Sequence, residues 1–329
     1  MHSRLPSGLR VGRGVSELEE YQLVAACDLV EERAEEAAGE LGEEDYHDVY
    51  IGRITRDWLA AYDHDQPFFC WCNWGGPHSP WDAPGRYAEM YDPQDVDPPL
   101  EDPMLNTPRQ LGDRQQRAMR RNAPEAWRAC RASYYGMINV IDDAIGSMLA
   151  ALEARDLLED TVVIYSSDHG EMLFDHGLTG KSVMYEGSAR VPLIIHWPQR
   201  FLSGFKSKAL VSTLDVVTTI LEIAGAAPMR ETHGESLLPL LEGDSEVHRE
   251  CVFSEMGPMK MVRQGPWKYV YSPDWDIRQL FNLDQDPQEV RNLMGTPAVA
   301  QRARMLHDRL LDWVIETEIR PNTRAMVHD

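Results

Sequence analysis

The chain has 329 residues, 43% of them hydrophobic, enough to bury a large core as one large domain or as a domain with a smaller companion. Its formal net charge of -22, with no concentrated basic stretch, excludes a partner whose phosphate backbone must be followed by cations. Five lysines stand against twenty-seven arginines, a bias that fits either a salt-rich habitat or a GC-rich genome.

Tyr21 to Cys27 is an apolar, strand-like run ending at Asp28, and Glu31 to Leu41 is an alanine- and glutamate-rich helix closed by Gly42. This strand–acid–helix unit resembles the second βα unit of a glucose–fructose-type oxidoreductase, in which the acid would hold a ribose hydroxyl. The preceding turn, Val11 to Glu17, supplies only Gly12 and Gly14 of the phosphate-binding pattern, so a strand and helix that bind nothing are the stronger expectation. Ile51 to Tyr62 then reads as a helix and Pro67 to Trp74 as a strand, followed by a proline-rich, irregular stretch from Pro77 to Pro108. Ile138, Ile141, Ile145, Met148 and Leu152 form one apolar stripe of a long helix. Thr161 to Ser167 and Pro192 to Trp197 are β-branched runs suited to central strands, and Leu214 to Ala224 is helical up to Gly225.

From about Val247 the character changes. Cys251 to Glu255, Lys260 to Arg263 and Trp267 to Tyr271 read as short strands between glycine and proline turns, and Ala298 to Glu316 reads as a closing amphipathic helix. The expected divisions are a βα segment of unassigned role at 1–45, read as a fusion remnant, an α/β core at 46–246 and a small antiparallel subdomain with a helix at 247–329.

Cys27, Cys70, Cys72, Cys130 and Cys251 make no even-numbered framework and no Cys-x-x-Cys pair, so no disulfide staple is expected. Cys70 and Cys72 alternate along a strand and read as core. Met1 to Gly14 has arginines but no apolar segment or cleavage signature, and no stretch reaches the length of a membrane span. As the sequence stands, the expectation is a soluble, cytoplasmic chain with no membrane partner.

The chemistry gathers where the run Val162 to Ser167 enters Asp168-His169-Gly170-Glu171. In an open α/β sheet ligands collect at the carboxyl ends of strands, and a carboxylate beside an imidazole there can bind a divalent cation. Asp-His-Gly alone is a weak signal, about as often structural as metal-binding. Leu173 to Lys181 and Tyr185 to Ile195 follow it, the latter containing Tyr185-Glu186 and Arg190-Val191-Pro192.

The run from Thr161 to Pro198 resembles the signature of the type I sulfatases of the alkaline phosphatase superfamily. Pro67-Phe68-Phe69 leading to Pro77-His78-Ser79-Pro80 resembles the family's strand and Pro-His turn. Gln279 to Leu283, with Asp286-Pro287, Glu289 and Asn292-Leu293, resembles its C-terminal motif. The resemblance covers roughly residues 46 to 320 and implies an alkaline-phosphatase-like α/β sheet with helices on both faces, N-terminally incomplete, plus a small C-terminal antiparallel subdomain.

It also implies a sulfate ester hydrolase acting on a small-molecule or carbohydrate sulfate. By the match of motifs, Asp168 and His169 are ligands of a divalent cation, calcium first, with manganese or magnesium as alternatives. Lys181 would neutralise sulfate oxygens, and His78 would face the sulfate and assist the leaving alcohol. Glu186 and Arg190 are expected to pair with each other for structure, Asp175 and His176 stay unassigned, and Asp142-Asp143 reads as a solvated helix face. None of the five cysteines has proline at plus two and arginine at plus four, the pattern in which the family's nucleophile is made. The expectation is therefore weak or absent activity from a truncated or fused reading frame. A phosphonate monoester or phosphodiester hydrolase of the same superfamily, a non-catalytic ligand-binding remnant and an oxidoreductase fragment are the alternatives.

Overall fold

The computed structural model describes residues 22–27, 44, 46–101, 126–229 and 232–317, the first stretch by its backbone. The chain divides into two compact units, one of Met1–Pro98, Ala123–Val163 and Ile195–Gln199, the other of Pro99–Asn122, Ile164–Ile194 and Arg200–Asp329. The expected helix at Glu31–Leu41, the turn at Val11–Glu17 and the acid Asp28 lie outside the described residues.

In the first unit β1 (Gln22–Cys27) pairs in parallel with β2 (Phe68–Cys72), with Gln22 opposite Phe68 and Cys27 opposite Cys72. As a fusion remnant this first strand would lack a partner; its backbone instead pairs with β2. Between them α1 (His47–Ala61) starts earlier than its apolar pattern implied and packs on α2 (Ala126–Glu153). The close approach needs small residues: a Cβ on Gly52 would stand 2.5 Å from the Ala144 Cβ.

The buried face of α2 is Ala132, Gly136, Met137, Val140 and Ile141, whereas Ile138 is 41% exposed. The expected stripe is therefore displaced at its start. Gly136 is the reason: a Cβ there would stand 2.2 Å from the Tyr87 carbonyl, so the helix turns its smallest residue toward the 85–89 turn and seats Ala83, Tyr87, Met137 and Val140 around it. Asp142 and Asp143 are exposed as expected, and Asp143 Oδ2 accepts from Arg86 and Tyr87 at 2.9 and 2.8 Å. Cys70 and Cys72 are half-buried.

β3 (Val163–Ser166) and β4 (Leu193–His196) form a two-stranded sheet. In the second unit α3 (Glu186–Ala189) precedes β4. Next comes α4 (Thr213–Ile223), which opens with a capping box of Ser212 and Asp215, then the single turn α5 (Leu238–Leu241).

An antiparallel sheet follows in the order β5 (Cys251–Met256), β6 (Met259–Gln264), β7 (Trp267–Ser272) and β8 (Ile277–Asn282). The fourth strand is the segment the sequence offered only as a motif. Alternation places Cys251, Val262, Tyr269 and Leu280 on one face, against Leu306 and Leu310 of α6 (Ala300–Thr317). Phe281 emerges on the other, in a core with Met172, Leu178, Val183 and Tyr185. Because the sheet is covered on both faces, Leu280 and Phe281 are apolar at consecutive positions, and β8 lacks the alternation of a half-exposed strand. Its fit to the 172–185 segment anchors the residues that follow β3.

Candidate functional site

At the end of β3 the chain turns through Ser167-Asp168-His169-Gly170. Ser167 Oγ donates to the His169 carbonyl at 2.9 Å, and the His169 amide donates to Asp168 Oδ1 at 2.8 Å. Asp168 Oδ2 lies 3.5 Å from His169 Nε2, and the Asp168 side chain is 83% exposed. His169 Nδ1 meets the Gly170 carbonyl at 3.0 Å. A carbonyl oxygen only accepts, so Nδ1 is the donor there, which leaves Nε2 as the nitrogen beside Asp168. One carboxylate oxygen and one imidazole nitrogen thus stand side by side in water's reach, the ring oriented from behind as metal-binding imidazoles are.

This donor pair fits a divalent cation as two of its ligands. Among the described residues no group of three or more His, Cys, Asp and Glu side chains is placed to hold a metal ion, so two ligands are what the described residues supply.

Gly170 holds this turn against α3. Its amide donates to the Ser188 carbonyl at 2.8 Å, and a Cβ on it would stand 2.1 Å from the Gly187 carbonyl oxygen. Glu171 reaches forward: its Oε1 accepts from the Leu173 amide at 3.2 Å and from the Gly180 amide at 2.5 Å. The Met172 amide donates to the Gly180 carbonyl at 3.0 Å, and Met172 itself is 1% exposed in the core. Lys181, half-buried, is bracketed by two left-handed residues, Gly180 at φ 78° and Ser182 at φ 77°. A serine there is strained backbone that the surrounding bonds must hold. Asp168, His169 and Lys181 therefore belong to one bonded stretch of the second unit.

Asp175 and His176 have structural work. Asp175 Oδ1 accepts from the Leu100 amide at 2.8 Å, the His176 amide donates to the Leu100 carbonyl at 2.9 Å, and the His176 ring stacks on Tyr185 at 4.1 Å. The Arg190 amide donates to the Glu186 carbonyl at 3.1 Å, but the Glu186 carboxylate takes other cations as its hydrogen-bonded partners. It bonds Lys268 at 2.9 Å and Arg263 at 3.2 Å, because the sheet strands β6 and β7 bring those cations to α3. Burial alone would push the Glu186 carboxyl up, but Lys268 and then Arg263 and Arg190 hold it below the usual carboxylate range.

His78 belongs to the first unit and is exposed. It sits between two cis peptide bonds, Gly76–Pro77 and Ser79–Pro80. Its amide donates to the Gly75 carbonyl at 3.3 Å, and its Nδ1 donates to the Ser79 carbonyl at 2.6 Å. Sequence reasoning missed Glu171 as a brace of the Gly180–Lys181 turn and Lys268 altogether, and had Glu289 only as part of the C-terminal motif, without its partner Lys268. A lysine inside the apolar strand β7 was the available signal for Lys268.

A family model described as Sulfatase matches residues 19–226, and one described as N-sulphoglucosamine sulphohydrolase, C-terminal, matches residues 174–316. The first match begins inside the stretch whose strand and acid resembled an oxidoreductase, a resemblance that gains no support from it. An arylsulfatase of Clostridium perfringens is 31% identical over 284 residues, 82% of this chain and 58% of that one. A choline-sulfatase of Rhizobium meliloti is 30% identical over 263 residues, 73% of this chain and 49% of that one. The chain thus spans about half the length of the curated relatives it matches. Among solved structures, a phosphonate monoester hydrolase from Silicibacter pomeroyi superposes with a TM-score of 0.72 at 26% identity, covering 84% of this chain and 61% of that one. A protein solved with its substrate D-glucosamine-2-N,6-O-disulfate superposes with a TM-score of 0.71 at 20% identity, covering 86% of this chain and 71% of that one, and shows the shared fold. With the Asp168–His169 turn, the Gly180–Lys181 brace and the C-terminal sheet all inside matched stretches, the chain belongs to the sulfatase family.

Proposed function

We propose that this protein acts on sulfate esters, with Asp168 and His169 holding a divalent cation and Lys181 neutralising sulfate oxygens. The observation that carries the reading is the 3.5 Å separation of Asp168 Oδ2 and His169 Nε2, with the ring proton committed to the Gly170 carbonyl. Bound there, the cation supplies positive charge to the sulfate oxygens and to an attacking oxygen. An exposed carboxylate favours a hard ion, so calcium is the first expectation; the imidazole keeps manganese open, and magnesium is the third. Lys181 offers a compact cation to the charge that develops on the transferred group. His78, whose Nδ1 donates to the Ser79 carbonyl, would act as the imidazolium: a second proton taken up from solvent on Nε2 passes to the departing alkoxide and leaves the neutral ring.

None of the five cysteines carries the proline and arginine spacing of the family's nucleophile, so we expect slow turnover from this chain as it stands. A small or carbohydrate sulfate is the substrate class, in line with the choline-sulfatase relative and the glucosamine disulfate in a structural neighbour. A phosphonate monoester is the second reading, supported by the 26% identical hydrolase.

The test is a panel of aryl, choline and glucosamine sulfates beside an aryl phosphonate monoester, with calcium, manganese or magnesium added. Sulfate ester cleavage that requires added cation and falls in Lys181→Ala supports the reading. Cleavage confined to the phosphonate supports the second. Turnover indifferent to Asp168→Ala and Lys181→Ala removes both.

A further inference from the structure

Asp48, the second residue of α1, is 1% exposed. Its two oxygens accept from consecutive backbone amides, Oδ1 from Gly75 at 3.0 Å and Oδ2 from Gly76 at 2.9 Å. His47 Nδ1 lies 2.8 Å from the same Oδ1, and this hydrogen bond is the main cause that raises the imidazole above its ordinary value. A buried carboxylate is costly unless its lone pairs are met, and here they are met by a loop 27 and 28 residues away in sequence.

The two glycines make that approach possible. A Cβ on Gly76 would stand 2.1 Å from Asp48 Oδ2, and one on Gly75 would stand 2.5 Å from His47 Cε1. The backbone pinned in this way runs directly into Pro77 and His78. The His78 amide is tied back to the Gly75 carbonyl at 3.3 Å, so the residue that Asp48 fixes is also the anchor of the His78 backbone.

We infer that Asp48 is a positioning residue: by holding the Gly75 and Gly76 amides it sets where the His78 ring stands. The catalytic consequence rests on the reading of His78 given above as the proton donor to the leaving alcohol. A clamp of this kind restricts a reactive group to a narrow arc, which is how remote contacts govern proton transfer to a departing oxygen. A carboxylate that only stabilised α1 would leave the His78 ring where it is when removed.

The test uses the full chain labelled with nitrogen-15 and compares His78 ring resonances and Gly76 amide exchange in wild type, Asp48→Asn, Gly76→Ala and the exposed control Asp57→Asn. Asparagine has one acceptor oxygen, so one of the two amides meets an NH2 group instead. Asp48→Asn is expected to shift the His78 ring signals and to speed Gly76 amide exchange by about tenfold or more, the loss of a hydrogen bond to a charged group. Gly76→Ala keeps the carboxylate but blocks its approach, so it supplies the second perturbation if Asp48→Asn folds poorly, and the same His78 shift is expected. Asp57→Asn should change neither signal.

On aryl sulfates of graded leaving-group acidity, Asp48→Asn should lower kcat most for the poorest leaving groups, by about tenfold, and leave KM in place. His78 resonances that coincide with wild type in a folded Asp48→Asn or Gly76→Ala chain would overturn the inference. If His78→Gln leaves turnover untouched, the role of His78 fails, while the positioning of its ring is still decided by the spectra.

Discussion

Lys268 Nζ, in a side chain with no exposed surface, lies 2.9 Å from Glu186 Oε1. The same nitrogen is 2.8 Å from Glu289 Oε1, and Glu289 Oε2 accepts from the Glu186 amide at 2.6 Å. Burial pushes the Glu289 carboxyl up against the pull of Lys268, whereas Glu186, with Arg263 as a second cation, is held down. The cluster ties β7 to α3, which in turn packs on the Gly170 turn. Breaking a buried ion pair from one side leaves uncompensated charge, at a cost of about 3–5 kcal/mol. Lys268→Met should therefore lower the urea midpoint of the protein by a corresponding amount, and a loss below about 1 kcal/mol, the range of an exposed pair, would contradict the assignment.

Acid should undo a second cluster. Asp215 is fully buried; burial would raise its carboxyl, but the Arg249 guanidinium and then the Glu235 and Ser212 amides outweigh it and hold it below the usual range. His248 Nε2 also lies 3.1 Å from Oδ2. A depressed folded value means stability that is present above the ordinary carboxylate range and lost as pH falls through the depressed one. Urea midpoints measured across a pH series should decline on acidification in wild type and decline less in Asp215→Asn, which starts lower at neutral pH. Parallel curves for the two proteins would refute this.

Gly170 offers a sharper perturbation near the proposed cation ligands. With a Cβ placed 2.1 Å from the Gly187 carbonyl, Gly170→Ala must separate the Asp168–Glu171 turn from α3. Neither partner is the free end of a flexible side chain, so the strain cannot relax locally. A loss of about 2–3 kcal/mol in thermal or urea unfolding is expected, together with weaker cation binding. An alanine variant of wild-type stability would mean that the turn and α3 are looser than described.

What could be read from the sequence was what is local. The β-branched run into Asp168-His169-Gly170, the Pro77–Pro80 turn, Lys181 after Gly180 and three strands of the C-terminal sheet are all set by neighbouring residues, and the structure has them. What escaped depends on contacts across the chain. Asp48 looks like an ordinary first-turn acid of a helix until the Gly75 and Gly76 amides are brought to it. Glu186 finds its cation 82 residues downstream, which spacing alone could not select over the nearby Arg190. The face of α2 was misjudged because Ile138 counts as apolar in any pattern, while the packing is set by the smallness of Gly136. β8 escaped because burial on both faces erases the alternation by which strands are recognised.

The shared role of Asp168, Lys181 and a cation in holding sulfate is decided by calorimetry of sulfate binding, with and without calcium, in wild type, Asp168→Ala and Lys181→Ala. Asp168 is largely exposed and Lys181 half-buried, so neither substitution should unfold the chain. Sulfate binding should require the cation and weaken by about tenfold or more in each variant, as loss of a charged hydrogen-bonding partner implies. Sulfate affinity that is equal in all three proteins, or indifferent to calcium, would contradict that shared role.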